Sequence, residues 1–202
     1  MQPLLTTSKR IESIDLLRGL VMIIMALDHV RDYFHADSFM FDPLDLDKTT
    51  GAIFFTRWIT HFCAPVFMFL AGTSASFMSR RKTKKELSRF LFTRGLWLIF
   101  LELVVVNFGW NFDILFTNIY FITIWALGIS MIVLAGLIYL RIPYILAIGA
   151  LLVAGHNLLD TIHVPGNTPP AFGWSLLHEM GFFSWQGHNV LVGYPVIPWI
   201  GM

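Results

Sequence analysis

Imidazole is the side chain best suited to exchanging protons near neutral pH, and the chain carries seven: His29, His35, His61, His156, His163, His178 and His188. Arg18 and His29 are eleven residues apart, which on a helix is about three turns, so both fall on one face roughly 16 Å apart. Asp15 precedes Arg18 by three residues and can pair with it. Asp28 adjoins His29 but projects about 100° away from it. Arg57 and His61 stand at i and i+4 and share a face, as do His156 and Asp160, which could form a carboxylate-oriented imidazole. Glu102 lies inside an apolar run and needs a partner, for which Arg57 or a histidine is the expectation. Such groups suit general-base catalysis or a transient acyl-imidazole. The plainer reading is structural: charged side chains reaching from helix ends to the interface, and histidines hydrogen-bonded to neighbouring helices. No HxxxH or HxH spacing occurs, and no metal site is expected. A phosphate-cradling glycine loop and a nucleophile elbow are also missing from the sequence.

The elements that must position these groups are apolar. Of 202 residues 56% are hydrophobic and 13% charged, about half the charge of an ordinary soluble domain. Hydropathy predicts spans over roughly 14–34, 52–78, 90–110, 119–140 and 144–159, with a long loop from Asp160 to about Val192. A last apolar stretch begins near Tyr194 and reaches Met202, too short to cross a bilayer. The expected fold is therefore an all-α polytopic bundle of about five complete spans and the start of a sixth, one domain over residues 1–202, the N-terminal portion of a larger bundle. Small residues from Ala71 to Ala75 would let helices approach closely. The single Cys63 excludes a disulfide framework.

The net charge of +1 conceals a polarity. Lys9 and Arg10 precede the first span, Arg80, Arg81, Lys82, Lys84, Lys85 and Arg89 follow the second, and Arg141 follows the fourth. All lie on one side if the N-terminus is cytoplasmic, and the acidic loop with Asp37, Asp42, Asp45 and Asp47 lies on the other. On this topology every histidine belongs to an outer half-span or outer loop. The basic clusters thus report membrane orientation, and no nucleic-acid partner is expected.

Two segments carry a resemblance. Residues 10–34, RIESIDLLRGLVMIIMALDHVRDYF, and residues 61–74, HFCAPVFMFLAGTS, resemble the first and second spans of bacterial membrane proteins related to heparan-α-glucosaminide N-acetyltransferase, within a broader group of transmembrane acyltransferases. The closing YPVIPWIGM is similar to the start of a further helix in that family, whose members continue beyond it. The resemblance implies acetyl transfer from cytoplasmic acetyl-CoA, a co-substrate with no bound cofactor, to a sugar or amine acceptor on the outer side of a bacterial inner membrane. In the broader group an arginine is followed, ten residues intervening, by an essential histidine, a spacing that Arg18 and His29 match. The mammalian lysosomal enzyme has asparagine at the position of His29 and its key histidine later in the loop, where His35 is nearest, with a gap. Which imidazole acts stays open.

The leading expectation is a multi-pass membrane acyltransferase. His29 would be general base or acyl carrier, with Asp28 orienting it and His35 as the other candidate. His61 and Arg57 would line the passage, and Arg18, Arg57, Arg80, Arg81 and Lys84 would meet the acyl-CoA phosphates. Its partners would be the bilayer, acyl-CoA and the acceptor, with a homodimer admitted. The alternatives are a small-solute or proton-coupled transporter using the same ionisable groups, and an inactive fragment.

Overall fold

The computed structural model describes residues 12–35 and 40–202, so Lys9, Arg10 and Asp37 of the charge argument lie outside the described residues. The chain divides after Leu70 into two compact units.

In the first unit α1 (Glu12–Phe34) is 23 residues long, enough for about 34 Å. Its amphipathicity is that of a helix in lipid. Leu16, Leu20, Ile23, Leu27, Val30 and Phe34 are exposed, whereas Asp15, Arg18, Val21, Met25, Asp28, Arg31 and Asp32 fall on the protected arc. α2 (Gly51–Thr60) is capped by Thr50, whose side chain accepts from the Ile53 N–H. It ends at His61–Phe62, and α3 (Cys63–Ser79) follows at once. Pro65 causes the break: it offers no N–H to the His61 carbonyl and its ring would collide with that group. The whole of Gly51–Ser79 is long and apolar enough to cross a membrane.

The second unit contains two further stretches of that kind, Lys84–Asn111 and Ile142–Leu159. α4 (Lys84–Phe100) starts in a capping box, Thr83 accepting from the Glu86 N–H while Glu86 accepts from the Thr83 N–H at 2.9 Å. It runs into a π-helical turn, Leu101–Val106, and then α5 (Asn107–Asn111). α6 (Thr123–Leu137) has 15 residues, about 22 Å, short of the roughly 30 Å hydrocarbon core. α7 (Ile142–Gly155), with Pro143 in its first turn, continues as a 3-10 turn to Leu159. α4 and α6 cross at Gly95 and Gly128, where a Cβ on Gly95 would stand 2.6 Å from the Gly128 carbonyl oxygen and one on Gly128 2.8 Å from that of Gly95.

The described residues are mostly helical, yet the all-α expectation is corrected by a three-stranded sheet of order β1-β3-β2. β1 (Asn118–Phe121) occupies what was expected to begin the fourth span. It pairs in parallel with β3 (His188–Val192), Asn118 opposite Asn189 and Phe121 opposite Val192. β2 (Gly181–Trp185) pairs antiparallel to β3 through the two-residue turn Gln186–Gly187, both at positive φ. α8 (Pro169–Leu177) packs Ala171, Phe172 and Leu176 on Phe183, Val190 and Val192. The expected irregular loop after Asp160 is therefore a folded αββ element. Its closing helix α9 (Val196–Gly201) meets α7 at Gly149 and Gly201.

Among the described residues three helical stretches qualify as spans by length and apolarity, and the count of five complete spans is not established. α1 has the length but carries Asp15, Arg18, Asp28, Arg31 and Asp32. Replacing Gly95 by valine should weaken the α4–α6 crossing by about 1–3 kcal/mol and lower the thermal midpoint in detergent. Gly136→Ala, where nothing lies within 4 Å, should leave the midpoint unchanged.

Candidate active site

The densest polar cluster in the first unit is built on Asp28. One carboxylate oxygen accepts from the Thr60 hydroxyl at 2.7 Å and from Arg31 Nη2 at 2.5 Å, and the other accepts from Arg57 Nη1 at 3.1 Å. Helical spacing makes this convergence local on each side: Asp28 and Arg31 are i and i+3 on α1, Arg57 and Thr60 i and i+3 on α2. Arg31 also bridges to Asp32 at 3.0 Å. Two carboxylates thus face two guanidiniums, and Thr60 is only 5% exposed. Arg31 Nη1 is buried with no acceptor among the described residues. Cys63 packs beneath, its Sγ 3.7 Å from the Val21 carbonyl oxygen.

The candidate residues named from sequence distribute around this cluster. Asp28 engages Arg57 and Arg31, while the His29 ring turns to the backbone: its Nδ1 lies 3.0 Å from the Met25 carbonyl oxygen. A carbonyl only accepts, so Nδ1 carries the proton and Nε2 the basic lone pair. His29 is exposed at the edge of the protected arc. Arg18 is 3.6 Å from Asp15, as the spacing implied. His35 ends α1, its N–H bonded to the Arg31 carbonyl. His61 stands exposed at the α2–α3 break, so the single continuous span in which it was placed is two helices. Arg57 and His61 are therefore separated in role, Arg57 in the cluster and His61 at the kink.

In the second unit Arg80, Arg81 and Lys84 lie exposed on the short connection between α3 and α4. Arg80 stacks over Phe77, and Lys84 Nζ donates to the Tyr139 carbonyl at 3.2 Å, placing the C-terminal end of α6 beside this basic turn. Two pairings expected from sequence are replaced. Asp160 bonds His178 Nε2 at 3.1 Å, and not His156, whose Nδ1 turns back to the Val153 carbonyl at 2.8 Å. Glu102, fully buried, is met by backbone: its Oε2 accepts from the Trp125 N–H at 2.9 Å, in the first turn of α6. Arg31, Thr60 and His178 were passed over as site residues. The i+3 steps from Asp28 and Arg57 were the available signal for the first two, and His178 had none.

The family profile described as heparan-alpha-glucosaminide N-acetyltransferase, catalytic, matches residues 10–202. The chain belongs to this family. No curated protein and no solved structure matches it. Membership brings an acetyltransferase-type activity and, with the apolar helices, a membrane setting. The Asp28 cluster combines a buried guanidinium N–H and a carboxylate held by three donors, and His29, the next residue on α1, is exposed.

Asp28→Asn removes the negative charge and one accepting oxygen from a group that serves three donors, leaving Arg57 without its carboxylate and Arg31 with Asp32 alone. The cluster is 11–32% exposed by side chain, so a loss of about 1–2 kcal/mol is expected. The sole cysteine reports it: maleimide labelling of Cys63 should accelerate in the variant, and an unchanged rate would show that the cluster does not hold α1 to α2.

Proposed function

We propose that the protein transfers an acetyl or other small acyl group from acyl-CoA on the cytoplasmic face to a sugar or amine acceptor on the outer face of a bacterial inner membrane. The observation that carries this reading is the inverted character of α1, apolar outward and ionisable inward, in a chain matched along 10–202 by an acetyltransferase family. In the reaction the acceptor nitrogen or oxygen attacks the thioester carbonyl, a C–N or C–O bond forms and the C–S bond breaks. His29 Nε2 takes the acceptor proton and returns it to the departing thiolate. Arg31 Nη1 is the donor best suited to the oxyanion. Asp28 acts as the residue that fixes Arg31, Arg57 and Thr60 rather than one that orients His29. His35 and His61 are the other imidazoles of this unit. Arg18 in the first unit and, separately, Arg80, Arg81 and Lys84 in the second are the candidate cations for the phosphates of CoA, while Arg57 is engaged by Asp28.

Two features support the orientation. The basic turn and the end of α6 meet through Lys84 and Tyr139, and Arg141 follows directly. At the opposite ends of α6 and α7, β1 and β3 pair, which requires those two segments to lie on one side of the bilayer. In a Cys63→Ala background, cysteine at Lys82 should resist an impermeant maleimide in intact cells, and cysteine at Ser184 should react. The opposite pattern would reverse the assigned direction of transfer.

His29→Ala should reduce radiolabelled acetyl incorporation from acetyl-CoA by about a hundred- to ten-thousandfold while membrane insertion is unchanged. Wild-type incorporation in that variant would remove His29 from the mechanism. Acetyl-CoA-independent solute flux in proteoliposomes would favour the transporter alternative.

A further inference from the structure

The connection after α3 and the first half of α4 carry seven bases between Arg80 and Arg94 against the single acid Glu86. Glu86 is committed to the helix cap, where its Oε2 accepts from the Thr83 N–H at 2.9 Å and from the Thr83 hydroxyl at 2.8 Å. Two of the cations meet at one ring. Lys82 Nζ lies 5.9 Å and the Arg94 guanidinium carbon 5.4 Å from the centroid of Phe90, each at cation–π distance. Phe90 is fixed from behind, since it packs on the core of Ala75, Leu87, Leu91 and Ala135. A ring face neutralises no charge and accepts no strong hydrogen bond. Among the described residues neither Lys82 nor Arg94 has a carboxylate at ion-pair distance, and both are exposed.

Depth makes this pair unusual. Arg94 stands about 15 Å along the helix from Lys84. The apolar stretch Lys84–Asn111 has 28 residues, a length of about 40 Å. A hydrocarbon core of roughly 30 Å centred on it begins about 5 Å from Lys84, so the Arg94 Cα lies about 10 Å beneath that edge. The guanidinium turns back toward the edge, because Phe90 is one turn nearer the basic end. Lys82 reaches the same ring from the connection. Phe90, Arg94 and Trp97 fall within about 60° of helix arc. One turn deeper than Arg94, Trp97 is 52% exposed and stacks with Phe100 at 5.3 Å and 23°. Two cations at the hydrocarbon edge, followed by exposed aromatic surface, match a molecule with an anionic head and an apolar tail. A soluble phosphate would leave the aromatic surface uncovered, and a zwitterionic head would bring its ammonium among the bases.

We propose that Lys82 and Arg94 bind the phosphodiester of an anionic phospholipid in the leaflet that meets the basic turn, with an acyl chain laid on Trp97 and Phe100. The guanidinium offers paired N–H donors to the phosphate oxygens, and Lys82 adds a point charge. The Phe90 ring holds both cations before the lipid arrives, so little side-chain freedom is lost on binding. The site lies wholly within the second unit and does not rest on the transferase reading.

The test is native mass spectrometry of the full chain released from detergent micelles, without acyl-CoA, titrated with dioleoyl phosphatidylglycerol and, as control, dioleoyl phosphatidylcholine. Phosphatidylglycerol should bind about tenfold more tightly than phosphatidylcholine. Arg94→Gln should weaken phosphatidylglycerol binding by about fivefold or more and Lys82→Gln by about threefold, with phosphatidylcholine binding unchanged in both. Lys82 precedes the cap of α4, so its variant keeps the proposal testable if Arg94→Gln does not fold. Lys85→Gln removes the same charge from a side chain that projects about 140° away from Phe90, and should leave binding unchanged. Equal affinity for the two lipids, or wild-type phosphatidylglycerol binding in folded Arg94→Gln or Lys82→Gln, overturns the proposal. So does an equal loss in Lys85→Gln, since the effect would then be diffuse charge. Displacement of phosphatidylglycerol from the wild type by coenzyme A or inorganic phosphate also overturns it, because the two cations would then serve a soluble phosphate.

Discussion

Backbone polar groups at membrane depth must be satisfied within the protein, and in the second unit two side chains near the end of one span meet this requirement. Asn107, 1% exposed, donates its amide to the Tyr120 carbonyl at 3.0 Å and accepts from the Tyr120 N–H at 2.6 Å, a strand-like pair made by a side chain. Glu102 accepts from the Trp125 N–H where α6 begins without a side-chain cap of its own at Ile122. Between them these residues fix where β1 ends and α6 starts. Asn111 extends the ladder to the Asn118 carbonyl and the Tyr120 hydroxyl. Without these groups the junction would bury unpaired N–H and C=O groups, each at a cost of about 1–3 kcal/mol.

The π-helical turn belongs to the same requirement. Widening the helix over Leu101–Val106 releases the regular register, and the Glu102 carbonyl accepts from Asn107 Nδ2 at 2.8 Å. The turn brings Glu102 and Asn107 to the β1–α6 junction together. The position of β1 then decides that of β3, because the two pair in parallel over four residues. β3 in turn carries β2. The sheet is thus registered by polar groups in the preceding helical stretch.

Much of the helical part was legible because hydropathy reports length and polarity. The stretches at 52–78, 90–110 and 144–159 were all found, each near Gly51–Ser79, Lys84–Asn111 and Ile142–Leu159. The apolar run at 118–121 was read as helix because a short run of isoleucine, tyrosine and phenylalanine has no period that separates buried strand from buried helix. Its strand partner lies about seventy residues later, beyond any local signal. Gln186–Gly187 between alternating aromatic and aliphatic residues was a readable hairpin, obscured by the expectation of an irregular loop. Of the site, the spacing of Arg18 with Asp15 was legible. The partner of Asp28 was not, since helical geometry gives the direction of a side chain but not which neighbouring helix it meets.

That last gap explains the form of the candidate site. In water a carboxylate shared by Thr60, Arg31 and Arg57 would contribute little, because exposed ion pairs are screened and held at an entropic cost. On the protected face of a helix whose other face carries Leu16, Leu20, Ile23 and Leu27, solvation is weaker and the same contacts become both strong and directional. Asp28, one of the charges that make α1 a poor span by hydropathy, is the one that binds it to α2. A helix selected only for insertion would discard such a group, and one that must be fastened to its neighbour at a fixed rotation keeps it. The same low dielectric makes Arg31 Nη1, which has no acceptor among the described residues, costly to bury, so the contacts that hold this guanidinium must offset that cost.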